Sequence, residues 1–413
     1  MNLQNLYDKL HYEIAAPALI VLTSTWVQVM AVYGTTLENI TWSFLGNCYS
    51  WTVVGIMLTW SILSLWIPGK EYKGPATSAG HVPVYRDNGF QYFLASLLSF
   101  AVLLYFYPQV AIDISENYPQ ILATCNIIAL VLCAFLYYKG KHFPEIAEKL
   151  EKQSMIFEFY RGMEIHPRIL NVDVKQLIIS RFSMAIWYLI AMVFFVANCM
   201  IVEFSWPFLV SVILLTVYLG KFYWWETGYF NTIDIIYDRA GYYLIWGCLV
   251  WVPSLFTLAW YRVVAEPILV DNNKAWLILI FGLLFIFLEY RIDWEKQYVR
   301  QNGGRCHLWL KPATYIMATY KTDSGATKKS LLITSGFWGI ARHLNYTLEL
   351  LTGLSWTLPF MGFGIWVYSY IIFLSVLIIH RIFRDEKKCS AKYGVYWEEY
   401  CRKVPYRMIP GIF

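Results

Sequence analysis

Polar and charged side chains that could hold a ligand are concentrated in the last third of the chain, residues 331–413. Five of them, on a helix continuing from an apolar run, recur at spacings of three and four and share one face: His380, Arg381, Arg384, Asp385 and Lys388. Snorkelling cations at a helix C-terminus would explain the basic members, but neither Asp385 nor the aromatic residues that follow. These aromatic residues are Tyr393, Trp397 and Tyr400. The pattern therefore predicts a ligand site at this helix end.

A second polar group interrupts the apolar sequence upstream, in ARHLNY at 341–346. Arg342, His343 and Asn345 fall within one helical turn there. A lone histidine in an apolar helix is usually a satisfied core residue. Three adjacent polar groups each need a partner, however, because an unpaired buried polar group costs about 1–3 kcal/mol. Ionisable residues within membrane-length segments indicate function by default, so we predict that these residues line a site.

Two cations, Lys296 and Arg300, lie one helical turn apart beyond an earlier apolar run. They could grip a phosphate together, one as a point charge and the other as a fork. A basic loop without a ligand explains them equally well. The sequence has no G-x-G-x-x-G after a strand and no G-x-x-x-x-G-K-[ST]. A nucleotide cofactor would therefore be held by neither a Rossmann fold nor a P-loop.

Three acidic residues, Glu226, Asp234 and Asp238, lie between two apolar runs. Asp234 and Asp238 are separated by four residues, and like charges at that spacing repel. One of them could hold a proton if desolvated, which suits a general acid. The alternative is an ordinary solvated loop.

Composition assigns the chain to the multi-pass membrane class. Of 413 residues, 58% are hydrophobic and 15% are charged, whereas soluble domains carry about a quarter charged residues. We predict an all-α integral membrane protein with about ten transmembrane helices, each spanning about 30 Å of hydrocarbon. The apolar runs lie near 15–34, 50–67, 90–108, 120–138, 177–202, 206–222, 242–263, 275–290, 338–358 and 361–380. The ninth carries Arg342, His343 and Glu349, so we expect it to be broken or buried in protein.

Lys and Arg are concentrated in alternate loops, and the positive-inside rule places these loops and both termini in the cytoplasm. We see no internal repeat and no appended soluble domain in the sequence, and we therefore predict that residues 1–413 form a single polytopic domain. The eight cysteines form no C-x-x-C motif, which argues against a zinc site or a disulfide framework. The basic residues form no nucleic-acid-binding tract. We expect neither a metal nor a nucleic-acid partner.

Two motifs resemble those of the sterol reductase family, which contains sterol C-14, C-7 and C-24(28) reductases and the reductase-like half of the lamin B receptor. They are LIIHRIFRDEKKCSAKYGVYWEEYC at 377–401 and FYRGMEIHPRIL at 159–170. Further stretches, such as WETGYFNTIDIIYD at 225–238 and SGFWGIARHLNY at 335–346, resemble the 7-dehydrocholesterol reductase branch. Some positions depart from the usual pattern: Cys248 stands for Asp, His166 for Asn, Tyr396 for an acidic residue, and Leu348-Glu349 for Gly-Asp.

The resemblance implies an NADPH-dependent reductase with a cytoplasmic cofactor pocket, mostly within about 290–413, and a sterol cavity open to the bilayer. Lys296 and Arg300 would bind the adenosine 2′-phosphate. The residues implied to line the NADPH site are Trp338, Arg342, Asn345, Arg381, Arg384, Asp385 and Tyr400, with Lys392, Tyr393, Trp397 and Arg407 as further members. His343 and His380 adjoin two of these in sequence and join the predicted cofactor site.

An isolated sterol alkene is not electrophilic enough to accept a hydride. Protonation of the ring double bond by a buried acid would give a carbocation that NADPH hydride traps. The candidate acids are Glu226, Asp234, Asp238 and Tyr400. The expected partners are a sterol that enters from the bilayer and membrane lipid. The expected location is the endoplasmic reticulum membrane in a eukaryote or the cytoplasmic membrane in a bacterium.

Four alternatives remain open. Within the same enzyme class, the reduced double bond could be at C-14 or at C-24 or C-24(28). A membrane methyltransferase of the isoprenylcysteine type shares part of the C-terminal pattern, but not the two motifs above. A non-enzymatic scaffold like the lamin B receptor would need a chromatin-binding domain ahead of the spans. A catalytically inactive sterol-binding protein is the fourth alternative.

Overall fold

The computed structural model describes residues 10–33, 43–77, 80–146, 153–321 and 327–413, and most of these residues are helical. Eight helices among them are long and apolar enough to cross a membrane: Tyr12–Val29, Gly89–Phe106, Tyr118–His142, Gln176–Ile201, Trp206–Trp224, Tyr242–Arg262, Asn272–Gln301 and Ile365–Tyr393. The predicted fold class, a helical multi-pass membrane protein, is confirmed. The number of ten spans and the cytoplasmic termini stay predictions.

The α-helices, in chain order, are α1 (Ala16–Tyr33), α2 (Cys48–Ser64), α3 (Gly89–Phe106), α4 (Gln109–Glu116), α5 (Tyr118–His142), α6 (Met155–Arg161), α7 (Met184–Ile201), α8 (Trp206–Trp224), α9 (Glu226–Tyr229), α10 (Ile233–Ile236), α11 (Leu258–Arg262), α12 (Asn272–Gln301), α13 (Leu344–Thr357), α14 (Ser369–Tyr393) and α15 (Val395–Lys403). Three segments, Leu10–Ala15, Gln176–Ser183 and Tyr242–Phe256, are wider π-helices. Short 3-10 turns form Ser43–Leu45, Gly336–Gly339, Leu358–Phe360 and Ile365–Tyr368.

Two predicted spans differ from the rest. The second is the 17-residue α2, whose N-terminus is capped by the Asn47 side chain. The ninth, predicted near 338–358, is interrupted as expected: a 3-10 turn at Gly336–Gly339 is followed by α13. The turn begins with Gly336 at a φ of +61°, a backbone conformation that residues other than glycine rarely adopt.

Within the described parts of the chain, the strands form four antiparallel pairs that the hydropathy pattern did not predict. They are β1 (Lys70–Lys73) with β2 (Val84–Asp87), β3 (Arg168–Ile169) with β4 (Val172–Asp173), β5 (His307–Leu308) with β6 (Lys311–Pro312), and β7 (Tyr315–Lys321) with β8 (Thr327–Ile333). In the last pair, Tyr315 lies opposite Ile333 and Lys321 opposite Thr327.

The chain packs as two compact units. Unit 1 comprises Met1–Phe204 and Leu219–Pro267, and unit 2 comprises Ser205–Tyr218 and Ile268–Phe413. The helix α8 supplies residues to both. The single domain stays a prediction, and the segment predicted to form most of the cofactor pocket, about 290–413, belongs to unit 2.

In unit 1, tyrosine side chains donate hydrogen bonds to backbone carbonyls of the π-helical segment Gln176–Ser183. Tyr223 donates its hydroxyl to the Ser180 carbonyl, and Tyr92 donates to the Arg181 carbonyl. Both tyrosines are buried. These hydrogen bonds tie the π-helical segment to α3, which carries Tyr92, and to α8, which carries Tyr223.

In unit 2, two hydrophobic clusters fix the elements around the predicted site. One joins α12 to β8 and α13 through Ile292, Val299, Ile333, Trp338 and Leu348. The other packs the β7–β8 hairpin against α15, and its members are Ile316, Ala318, Leu332, Trp397, Tyr400 and Val404. The hairpin and the chain's last helix are therefore held together by buried apolar contacts.

Candidate cofactor site

The 3-10 turn Gly336–Gly339 is anchored to the polar end of α12. The Glu295 carboxylate accepts a hydrogen bond from the Phe337 amide at 2.8 Å, and the Trp338 indole donates to the Ile292 carbonyl at 3.0 Å. A Cβ added at Gly336 would lie 2.1 Å from Glu295 Oε1, so the close approach needs glycine. The Trp338 ring is therefore held in one place.

Lys296 and Arg300 follow on the same helix. The Lys296 ammonium lies 4.2 Å from the centroid of the Trp338 ring, a cation–π contact. Arg300 is exposed one turn further on. The structure thus brings Trp338 and Lys296 into contact, as the predicted cofactor site requires, and leaves the Arg300 guanidinium accessible to an anion.

The guanidinium of Arg342 is buried and fully engaged within the protein. Its Nε and Nη2 donate to Glu386 Oε1 at 3.0 and 2.7 Å. Its Nη1 donates to the carbonyls of Val404 and Pro405 at 2.6 and 2.9 Å. Arg407 donates to the other oxygen of Glu386 at 2.9 Å. Two of the predicted cofactor arginines, Arg342 and Arg407, therefore bind a carboxylate that the sequence did not single out.

Beside Arg342, two buried polar atoms have no hydrogen-bond partner among the described residues: His343 Nε2 and Asn345 Oδ1. The nearest carboxylate oxygen to His343 Nε2 is Glu386 Oε1 at 3.9 Å, beyond hydrogen-bond reach. Buried polar groups are nearly always hydrogen-bonded. A ligand hydroxyl or N–H group could donate to Asn345 Oδ1, and a polar ligand atom could bond His343 Nε2, so these residues fit a cofactor that carries hydroxyl and amide groups.

Asp385 joins this group through Tyr346, whose hydroxyl donates to Asp385 Oδ2 at 2.8 Å. The Tyr346 ring also stacks on His343 with ring centroids 5.4 Å apart. The Arg381 guanidinium lies 6.0 Å from the Tyr346 ring. Arg384 is half-buried on the same helix, whereas His380 is exposed.

The remaining predicted cofactor residues stabilise the β7–β8 hairpin and the turn. Lys392 lies over the Tyr320 ring at 4.3 Å, and Tyr393 donates to Ser330 Oγ at 3.4 Å. Trp397 is buried in the cluster against the hairpin. Tyr400 donates to the Trp338 carbonyl at 3.3 Å, and burial raises the pKa of its hydroxyl.

The predicted acids of unit 1 lie in two different settings. Glu226 has no exposed surface, is ion-paired with Arg181, and accepts a hydrogen bond from the Ser180 hydroxyl. Asp234 and Asp238 are half-buried. Asp234 lies in α10, which ends at Ile236, and Asp238 follows it.

Sequence reasoning missed a further polar group in unit 2. Tyr218 donates its hydroxyl to Glu349 Oε1 at 2.6 Å, and Glu289 and Tyr370 lie within electrostatic range of this pair. A signal was present, since Glu349 and Glu289 interrupt or end apolar runs. The hydrogen-bonded pair joins residues 131 positions apart, which no spacing argument reaches.

A family model described as "Ergosterol biosynthesis ERG4/ERG24 family" matches residues 2–413. The chain belongs to this family. The "7-dehydrocholesterol reductase" of Arabidopsis thaliana is 39% identical over 355 residues, which cover 86% of this chain and 82% of that protein. The protein of the same name from Danio rerio is 36% identical, with 84% and 73% covered. The "Delta(14)-sterol reductase" of Methylotuvimicrobium alcaliphilum is 31% identical, with 88% and 84% covered. The predicted resemblance to sterol reductases is confirmed.

Among the positions that depart from the pattern of the resembled family, His166, Cys248 and Glu349 are integrated into the packing. His166 Nδ1 is 3.2 Å from the Tyr85 hydroxyl, and burial lowers the pKa of His166 to about 3. Cys248 packs against a buried cluster that includes Phe230. Glu349 is the hydrogen-bond partner of Tyr218.

Proposed function

We propose that this chain is an NADPH-dependent reductase of a sterol ring double bond, with the C-7 double bond as its target. The observation that carries the proposal is the whole-chain family match combined with relatives named 7-dehydrocholesterol reductase. The more distant relative named Delta(14)-sterol reductase makes C-14 reduction the second candidate. A sterol would enter from the bilayer, and the protein would reside in the endoplasmic reticulum or cytoplasmic membrane according to its source.

The cofactor would be held by unit 2. Lys296 and Arg300 would bind the 2′-phosphate that distinguishes NADPH from NADH, because a compact ammonium and a planar fork both suit phosphate oxygens. His343 and Asn345 would bond the polar atoms of the dinucleotide through the groups that lack protein partners. Arg381, Arg384 and Asp385 would line the remainder. NADPH, when bound, supplies a hydride.

The chain itself must supply a proton to the sterol alkene. Of the acids considered, the Tyr218–Glu349 pair is favoured by its setting in unit 2, the unit that carries the proposed cofactor residues. Its hydrogen bond can keep a transferable proton between a phenol and a carboxylate. Tyr400, Asp234 and Asp238 remain candidates, whereas Glu226 is engaged by Arg181 and Ser180.

The function is tested by expression in a host that lacks its own sterol reductases, with sterols profiled by mass spectrometry. We expect sterols that lack the C-7 double bond to accumulate in the host that expresses the chain, but not in the host without it. Loss of a C-14 or side-chain double bond would replace the C-7 assignment. An unchanged sterol profile, with protein present in the membrane, would contradict the proposal.

A further inference from the structure

Glu386 joins two arginines from separate parts of unit 2. Its Oε1 accepts two hydrogen bonds from Arg342, which precedes α13, and its Oε2 accepts one from Arg407 near the end of the chain. The Glu386 side chain is 12% exposed and that of Arg342 is 5% exposed. Each carboxylate oxygen therefore has a charged donor in a largely buried setting, where such bonds are strongest.

The backbone repeats the same connection. The Arg342 amide donates to the Tyr406 carbonyl at 3.0 Å, and the His343 amide donates to the Arg407 carbonyl at 2.7 Å. The Thr347 hydroxyl donates to the Met408 carbonyl at 3.0 Å. Segment 404–408 is thus joined to segment 342–347, and Glu386 fixes both to α14.

Segment 342–347 carries polar groups that we propose to bond the cofactor. His343 and Asn345 carry polar atoms that have no hydrogen-bond partner among the described residues. Tyr346 links this segment to α14, because its ring stacks on His343 and its hydroxyl donates to Asp385. Asp385 is the residue before Glu386 on α14. A shift of Glu386 would therefore move both segment 342–346 and the neighbouring Asp385.

We propose that Glu386 is a positioning residue: with Arg342 and Arg407 it forms a clamp that holds segment 342–346 in the conformation that binds NADPH. This inference rests on the proposed function. It also changes the roles of Arg342 and Arg407, which act as parts of the clamp and not as forks for the cofactor phosphates. The cationic side chains that would contact the cofactor directly are then Lys296, Arg300, Arg381 and Arg384.

The test compares Glu386→Gln with a matched control, Glu399→Gln, which breaks an exposed ion pair with Lys403 on α15. Loss of one partner from a buried charged pair weakens an interaction by far more than loss of an exposed one. We expect Glu386→Gln to raise the KM for NADPH by about tenfold or more, with kcat and the KM for sterol changed much less. Glu399→Gln should behave like the unmodified protein.

Amide hydrogen exchange, measured without cofactor, reports the clamp independently of activity. The amides of Arg342 and His343 should exchange faster in Glu386→Gln than in the unmodified protein or in Glu399→Gln. Arg407→Gln removes the more exposed arm and serves as a second variant. Its effects on exchange and on the KM for NADPH should be non-additive with those of Glu386→Gln, because both variants break one network.

Unchanged exchange in Glu386→Gln, or a fall in kcat without a rise in the KM for NADPH, would overturn the clamp. Additive effects of the two variants would overturn the shared network. If the unmodified protein shows no saturable dependence on NADPH, the proposed function fails. The exchange comparison still decides in that case whether Glu386 holds segment 342–346.

Discussion

Each unit contains an arginine–carboxylate pair, but the surroundings differ. In unit 1, Arg181 and Glu226 have no exposed surface, and the Arg181 guanidinium also bonds Asn88 Oδ1 at 2.6 Å and Ser180 Oγ at 2.6 Å. In unit 2, the Arg342–Glu386 pair is adjacent to the unpartnered Nε2 atom of His343, which lies 3.9 Å from Glu386 Oε1. The first network is closed apart from Arg181 Nε, which has no partner among the described residues, whereas the second borders atoms of His343 and Asn345 that need an outside partner. A closed network stabilises the fold, and an open one can bind a ligand.

The largest effect is expected where the closed network is broken. Glu226→Gln leaves Arg181 buried without a carboxylate, which costs about 3–5 kcal/mol. We expect a large loss of folded protein, measured by thermal unfolding in detergent, and a loss of activity that only follows the loss of fold. Gly89→Ala should act similarly, because its Cβ would lie 2.4 Å from Glu226 Oε2. A Glu226→Gln protein with normal unfolding and no turnover would restore Glu226 as an acid.

The next effect concerns the proton source. Tyr218→Phe removes the hydroxyl that bonds Glu349, and loss of a general acid lowers kcat by about 100-fold or more. The measurement is sterol turnover at saturating NADPH, with thermal unfolding beside it. Tyr188→Phe, which removes another buried hydroxyl, is the matched control and should keep normal turnover. Equal turnover in the two variants would exclude Tyr218 as the proton donor.

A smaller effect is expected at the proposed phosphate site. Replacing both Lys296 and Arg300 by alanine should raise the KM for NADPH by about tenfold or more while the KM for sterol stays nearly constant. The variant Lys328→Ala with Lys329→Ala removes the same charge from an exposed strand and should leave both values unchanged. An NADPH dependence that the first pair of substitutions does not alter would remove these residues from the cofactor site.

The smallest effect is a pH dependence of stability in unit 1. Burial lowers the pKa of His166 to about 3, and the neighbouring Lys175 and His81 act in the same direction. An unfolded histidine takes up its proton below about pH 6.5. The contribution of neutral His166 to the free energy of unfolding is therefore complete above pH 6.5 and is lost as the pH falls from there towards 3.

The variant His166→Asn carries the residue usual in the family and should lose less stability over this window. Unfolding midpoints at several pH values between 7 and 4 provide the measurement. His307→Asn, at an exposed histidine, should follow the unmodified protein. Identical pH profiles for His166→Asn and the unmodified protein would contradict the buried, neutral state.

The sequence predicted what is determined locally. Apolar runs located the spans because burial in lipid requires continuous hydrophobic sequence. Arg342, His343 and Asn345 were predicted together because they are neighbours in the sequence, and the break in that segment followed from their polarity. The single helical turn predicted for them is wrong, since α13 begins only at Leu344. What was missed depends on tertiary contacts. Glu386 meets Arg342 across 44 positions, and Glu226 meets Arg181 across 45. The hairpins were also missed, since they lie in polar loops.

The central claim is that the chain reduces the C-7 double bond of a sterol with NADPH. Purified protein in lipid vesicles, supplied with a sterol carrying this double bond and with NADPH, tests it most directly. We expect one NADPH to be oxidised for each C-7 double bond lost, as measured by absorbance and mass spectrometry on the same sample. Binding of S-adenosylmethionine in place of NADPH, or loss of a double bond at another position, would contradict it.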